Sequence, residues 1–261
     1  MTSASSASSA SSGEVLAVTA ARELARRRTV FSGHGLPTLA VALAQRTVAP
    51  EIEVVYESGV MGAHPAELPR SITDPLLVSG AECVVGMAQL FGYILQGRRI
   101  DVGFLGAAQI DRYGSLNSSI IGDWASPRVR LPGSGGAIEV MANAGEVFVV
   151  MRRHTARTCV GELDFCTSPS PRRARDADGG VQPHGRGVTR VITDLGIMAR
   201  DGTDDELRLV AVHPGVSGDQ VRAATGWDLQ VADDLAEVSP PTAAELRLLR
   251  DELDPNRIYL R

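Results

Sequence analysis

The feature that most limits the fold of this chain is a repeated alternation of short β-branched or aromatic runs with Ala- and Leu-rich helical stretches. Thr29 to Ser32, Ile52 to Glu57, Ile100 to Leu105, Glu146 to Met151, Thr189 to Ile197 and Glu206 to His213 read as strands. Glu14 to Arg28 reads as a helix, with Val15, Leu16, Val18, Leu24 and Ala25 at roughly helical spacing and a basic end. Thr38 to Gln45 follows Pro37, which suits a first helical turn, and Val84 to Leu95, Gln220 to Thr225 and Ala243 to Leu253 read as further helices. Strands alternating with helices predict an α/β domain with a largely parallel central sheet and right-handed connections.

Residues 1–13 form a Ser/Ala tract with neither a basic start nor an apolar middle, so they are expected to be a disordered tail rather than a signal. Residues 14–261 are expected to be one domain. The Pro-, Arg-, Asp- and Gly-rich stretch from Ser168 to Val188 reads as an exposed loop within it. No apolar run approaches the length of a membrane span, which points to a soluble, cytoplasmic protein. Cys83, Cys159 and Cys166 are odd in number and widely spaced, a pattern of small buried thiols in a reducing compartment rather than of disulfides or a zinc site.

A net charge of -5 gives no field that would hold a polyanion, so nucleic acid is not an expected partner. There is no lysine in the chain; every basic residue counted is arginine. Schiff-base and P-loop lysine chemistry is therefore absent, while a residue suited to bidentate contact with carboxylate or phosphate is plentiful. The histidines His64, His154, His184 and His213 have no spacing that makes a metal face, and no metal is expected.

Three places can carry chemistry. Glu57 stands where an apolar strand gives way to the turn Ser58, Gly59, and ligands of open α/β sheets gather outside strand carboxyl ends; the plain alternative is a solvated glutamate. In the loop Gly133, Ser134, Gly135, Gly136, backbone N–H groups can converge on an anion, or the loop is a flexible turn. His34, inside the turn Gly33 to Pro37, can donate to a substrate or cap the following helix. That turn lacks the third glycine and the acid of a dinucleotide fingerprint. Asp111, Tyr113, Asn117 and Asp123 are candidates for an active-site rim or for turn-forming bonds.

Taken in order, the motifs resemble those of the beta subunits of class I coenzyme A transferases, of the glutaconate CoA-transferase type. The matching stretches are GHGLP from Gly33, YESGVMGAHPAELPRSITDP from Tyr56, FLGAAQIDRYGSLNSSIIGDW from Phe104, GSGGA from Gly133, CTSP from Cys166, VITDLGI from Val191 and the terminal ELDPNRIYL. The resemblance covers nearly everything after the Ser/Ala tract. It implies an α/β sandwich of the class I CoA-transferase kind, with a largely parallel central sheet. It further implies Glu57 as covalent nucleophile, backbone amides of Gly133 to Gly136 near the reacting acyl group, and Ser58, Gly59 and His34 around the substrate. His34 departs from the small or hydroxyl residue expected there, which directs an imidazole toward the acyl pocket. Coenzyme A esters are implied as substrates with no permanently bound cofactor, and an alpha-type subunit as the partner that completes the site. Some relatives on this scaffold that hydrolyse, decarboxylate or ring-open acyl-CoA compounds lack the glutamate of this turn, so Glu57 favours transfer over those reactions; a noncatalytic chain that binds CoA esters is the remaining alternative.

Overall fold

The structure is a computed structural model that describes residues 10–65, 67–71, 74–176 and 183–260. Along the chain come helix α1 (Ser12–Glu23), strand β1 (Thr29–Ser32), helix α2 (Leu36–Gln45), β2 (Glu53–Tyr56), β3 (Val60–Met61), a 3-10 turn (Pro75–Val78), β4 (Cys83–Val84) and α3 (Met87–Gln89), which continues as a π-helical turn over Leu90–Leu95. Next are β5 (Val102–Gly106), β6 (Gln109–Ile110), β7 (Leu116–Asn117), β8 (Ile120–Gly122), β9 (Pro127–Arg130), α4 (Ala137–Asn143), β10 (Glu146–Met151) and α5 (Pro171–Asp176). The last part holds β11 (Val188–Thr193), β12 (Gly196–Ala199), β13 (Arg208–Val212), α6 (Gly218–Ala223), β14 (Val231–Glu237) and α7 (Ala243–Arg247), extended by a π turn over Leu248–Leu253.

Ten strands form one sheet in the order β14-β13-β12-β11-β10-β5-β1-β2-β3-β4. Its centre, β11-β10-β5-β1-β2, is parallel, as expected; antiparallel pairs flank it at β11-β12-β13 and β2-β3-β4. Alternation along each strand divides the core between the two faces. Val30, Val54, Phe104 and Phe148 meet α1, α2 and the C-terminal Tyr259 on one face. Phe31, Val55, Leu105 and Val149 meet Leu90, Leu95 and Val140 on the other. The carboxyl ends of the parallel strands thus open along one edge between two packed layers.

Local chemistry explains the element boundaries. Ser11 accepts from the Glu14 N–H while Glu14 accepts from the Ser11 N–H, a capping box that starts α1 before Glu14, so the last residues of the Ser/Ala tract are helical; residues 1–9 lie outside the described residues. The helix ends before the arginine cluster, and Arg26 turns to a φ of 67°. The run Thr189 to Ile197 proves to be two antiparallel strands, because the Thr193 hydroxyl accepts from the N–H groups of Leu195 and Gly196 and closes a turn. Val84 pairs in a strand rather than starting a helix, and the short pairs β6-β7 and β8-β9 arise within a polar, glycine-punctuated segment. Strand β14 carries no apolar alternation in VADDLAE; it is an edge, with Asp233, Asp234, Ala236 and Glu237 exposed. The described part of the stretch from Ser168 to Val188 holds α5; residues 177–182 lie outside the described residues. No helix among the described residues is long and apolar enough to cross a membrane.

Candidate active site

Glu57 is the first residue beyond β2, and the turn that holds it admits only glycine two positions later. Gly59 has a φ of 93°, donates its N–H to the Tyr56 carbonyl at 2.9 Å and accepts from the Val85 N–H at 3.0 Å. A Cβ there would lie 1.9 Å from the Val85 carbonyl oxygen. Glu57 is therefore carried by a turn pinned to β2 on one side and to the segment leading into α3 on the other.

The glycine loop meets it. The Gly136 N–H donates to Glu57 Oε1 at 3.0 Å. Gly135 has a φ of 48° and faces the same carboxylate, so that a Cβ on it would lie 3.5 Å from Oε1. Gly136 is the tight point: a Cβ would sit 2.7 Å from Phe91 Cζ and 3.3 Å from Glu57 Cδ. The Ser134 hydroxyl turns back to the Gly135 carbonyl at 3.0 Å, and the Ser134 carbonyl accepts from Ala137 N–H at 2.9 Å, which starts α4.

What fixes the loop is Ser118 and Thr167, which sequence reading does not assign to the site, together with Asn117, which it offers as a rim or turn residue. Gly133 donates its N–H to the Ser118 carbonyl and accepts from the Ser118 hydroxyl, both at 2.8 Å. The Thr167 hydroxyl accepts the Ser118 N–H at 2.9 Å and shares a 2.8 Å bond with the Ser119 hydroxyl. Asn117, fully buried, accepts from the Ser119 N–H and donates to Gln109 and to the Ile120 carbonyl. The matched motifs around Asn117 and Thr167 are the available signal, though nothing local in them says what they hold. Phe91 comes from the π turn and stands edge-on to Phe31, with ring centroids 6.2 Å apart. Asp111 and Asp123 accept backbone N–H groups two residues on, so both shape turns; Tyr113 bonds Glu206.

Ser58 Oγ is buried with no hydrogen-bond partner, an uncommon state for a hydroxyl. His34 belongs to a different group: it is exposed, its ring 5.8 Å from that of Tyr259. It lines a cavity of about 490 Å³ over the carboxyl ends of β1, β5 and β10, together with Leu36, Pro37, Val150, Arg152 and Arg153. Glu57 is not among the lining residues. Of the cysteines, Cys159 is buried and its thiol pushed up to about 12 by desolvation, and burial raises Cys166; Cys83 is exposed, contrary to the expectation of a buried thiol.

A model of the coenzyme A transferase family matches residues 14–224. The chain is 43% identical to the beta-type subunit of the 3-oxoadipate CoA-transferase of Pseudomonas knackmussii, over 92% of each chain. It is 33% identical to the corresponding subunit of the glutaconate CoA-transferase of Acidaminococcus fermentans, over 95% of this chain and 94% of that one. The crystal structure of that glutaconate coenzyme A-transferase superimposes with a TM-score of 0.87 at 31% identity, covering 97% of this chain and 98% of the other. The structure of the decarboxylase AibA/AibB is also similar, with a TM-score of 0.79 at 27% identity over 94% and 95%.

Proposed function

The chain belongs to the coenzyme A transferase family, and on that footing we propose that it is the beta-type subunit of a heteromeric transferase that moves CoA between an acyl-CoA and a carboxylate. The observation that carries this reading is the Gly136 N–H directed at Glu57 Oε1.

The chemistry divides one exchange into covalent steps. The Glu57 carboxylate attacks the thioester carbonyl, the carbon–sulfur bond breaks, and a mixed anhydride and CoA thiolate result. The thiolate attacks the glutamyl carbonyl, the anhydride carbon–oxygen bond breaks, and the first acid leaves as carboxylate from a glutamyl-CoA thioester. A second carboxylate reverses the sequence. When thiolate attacks, negative charge develops on a Glu57 oxygen, and the N–H already 3.0 Å from Oε1 is placed to receive it. One such donor is worth about 3 kcal/mol of barrier.

The acyl group is dicarboxylic or otherwise functionalised: the relatives at 43% and 33% identity are named for 3-oxoadipate and glutaconate. Each of those relatives is one subunit of a larger enzyme, which supports an alpha-type partner completing the site. CoA esters are substrates, with no resident cofactor, and the place of action is the cytoplasm.

Incubation of the reconstituted complex with acyl-CoA, followed by borohydride reduction and peptide mass spectrometry, is expected to place the modification on Glu57. Modification at another residue overturns the mechanism. The similarity to a decarboxylase supports a second reading, acyl-CoA breakdown without transfer. Turnover that is equally fast with and without an acceptor acid would establish that reading instead.

A further inference from the structure

The hairpin β8-β9 leads directly into the glycine loop, and it carries a cluster that the chemistry at Glu57 leaves unused. Trp124, in the turn of the hairpin, is 57% exposed. The half-buried Phe165 ring stacks on the indole, with centroids 4.9 Å apart and planes 24° from parallel. The exposed Arg130 guanidinium lies over the same indole, 5.2 Å from its centroid. Arg128, also exposed, crosses the bare backbone of Gly122, its Nε 3.3 Å from where a Cβ would stand.

The hairpin is held in shape by two acids. Asp164 Oδ2 accepts the Gly122 N–H at 2.7 Å, and Asp123 Oδ1 accepts the N–H groups of Ala125 and Ser126 at 2.8 and 3.3 Å. Both acids are thus engaged with backbone, and among the described residues neither Arg128 nor Arg130 has a carboxylate within ion-pair reach. The surface is aromatic and positive at once. That combination matches a nucleotide, because a purine stacks on aromatic rings and on guanidinium planes while phosphates take paired N–H bonds from arginine. A simple carboxylic acid has no use for the indole.

Chain continuity joins the cluster to the nucleophile. The Leu131 N–H donates to the Ser119 carbonyl at 2.9 Å and the Gly133 N–H to the Ser118 carbonyl at 2.8 Å. The β8-β9 pairing therefore runs on into the loop whose Gly136 N–H reaches Glu57. Phe165 stands two positions before Thr167, whose hydroxyl holds the Ser118 N–H. Arg130 precedes Gly136 by six positions, so at most about 20 Å of chain separates them. In coenzyme A the long pantetheine arm stands between the thiol and the nucleotide, and it suits a site whose two ends lie at opposite ends of this segment.

From these observations we infer that Trp124, Phe165 and Arg130, with Arg128 beside them, bind the adenine nucleotide end of coenzyme A. The purine lies on the stack of indole and guanidinium, and the arginines take the phosphates. The inference rests on the transferase reading for its substrate, and it gives that substrate a second point of attachment on this chain. Binding energy gained there, away from the reacting carbonyl, is available to the covalent steps at Glu57.

The test uses the complex with its alpha-type partner. Coenzyme A and pantetheine are the probes, since both carry the thiol and only the first carries the nucleotide. By calorimetry, wild type is expected to bind coenzyme A more tightly than pantetheine. Trp124→Ala and Arg130→Met are each expected to weaken coenzyme A roughly 10- to 100-fold and to leave pantetheine unchanged, with Trp124→Phe retaining most of the affinity. The ratio of kcat/KM for an acyl-CoA to that for the same acyl-pantetheine should fall by a similar factor. An undiminished affinity for coenzyme A, equal losses for both probes, or no wild-type preference for coenzyme A each overturn the inference. Failure of Trp124→Ala to assemble with the partner also overturns it, by making the cluster a subunit contact. If acyl-CoA leaves no adduct on Glu57, the transferase reading fails, and the calorimetric comparison still decides the nucleotide site.

Discussion

Glu57 and Gly136 stand 79 positions apart in the chain and are joined by a 3.0 Å hydrogen bond from the Gly136 N–H to Glu57 Oε1. One comes from the turn after β2 and the other from the start of α4, so the bond exists only once α4 has packed on the sheet. The catalytic consequences of shifting either partner can be measured separately.

Glu57→Gln keeps the shape and removes the nucleophile. In the assembled enzyme it is expected to lose transfer by several orders of magnitude and to yield no covalent CoA adduct by mass spectrometry. Glu57→Asp keeps the charge but draws the carboxylate back by one methylene. Because displacement by about 1 Å can cost roughly 100-fold in rate, kcat should fall by about that factor while the adduct still forms.

Gly136→Ala drives a methyl to 2.7 Å from Phe91 Cζ and 3.3 Å from Glu57 Cδ. The expected result is a fall in kcat of about 100-fold with a smaller change in KM, measured under steady-state conditions. Adding Phe91→Leu removes the ring atom that blocks the methyl and should recover part of the rate. A double variant no faster than Gly136→Ala would show that Phe91 does not set the position of the loop.

Thr167→Val removes the acceptor for the Ser118 N–H while preserving volume. Thr167 is buried, so the N–H it leaves loses a bond worth about 1 kcal/mol, and the loop that Ser118 anchors at Gly133 loosens. A fall in kcat of about fivefold is expected, with Thr167→Ser close to wild type.

Gly59→Ala is a stability prediction. The φ of 93° and the 1.9 Å approach to the Val85 carbonyl oppose any side chain, and the neighbour is backbone that cannot swing aside. Urea denaturation is expected to register a loss of about 3 kcal/mol. A loss under 1 kcal/mol would mean that the turn can rearrange.

His154 gives a pH dependence. It is buried between the hydroxyls of Thr193 and Thr225, and desolvation lowers its pKa to about 4. The unfolded chain takes up the proton near pH 6.5, so between about 6.5 and about 4 it binds more protons than the folded one. Stability is therefore fully present above 6.5 and declines as pH falls toward 4, by up to about 3 kcal/mol. His213, also lowered by burial, acts in the same direction. His154→Gln should flatten the decline measured by thermal denaturation across that window; an unaltered slope would refute the assignment.

Much of this architecture is legible in the chain. The apolar runs of β1, β2, β5 and β10 stand out because buried parallel strands need continuous β-branched and aromatic residues. Strand β14 escapes notice because an exposed edge needs none. The break at Thr193 is equally hidden, because it depends on one hydroxyl bonding backbone two and three residues on. Glu57 is legible as a carboxylate at a strand end, and its motif points to the glycine loop. His34 is expected to direct an imidazole toward the acyl group; its ring stands 5.8 Å from that of Tyr259, and it lines a cavity that Glu57 does not.

The sequence by itself determined the α/β class, the strand-to-turn place of Glu57, the absence of lysine and the family's motifs, because these follow from periodicity and residue chemistry. Tertiary structure alone decided which N–H meets Glu57, that Thr167 and Ser118 hold the loop, and that Arg153 is left exposed while Arg152 is bound to the C-terminal segment. Those relations join residues dozens of positions apart. They are set by the order and register of the strands and by the layers packed on them, which no local pattern encodes.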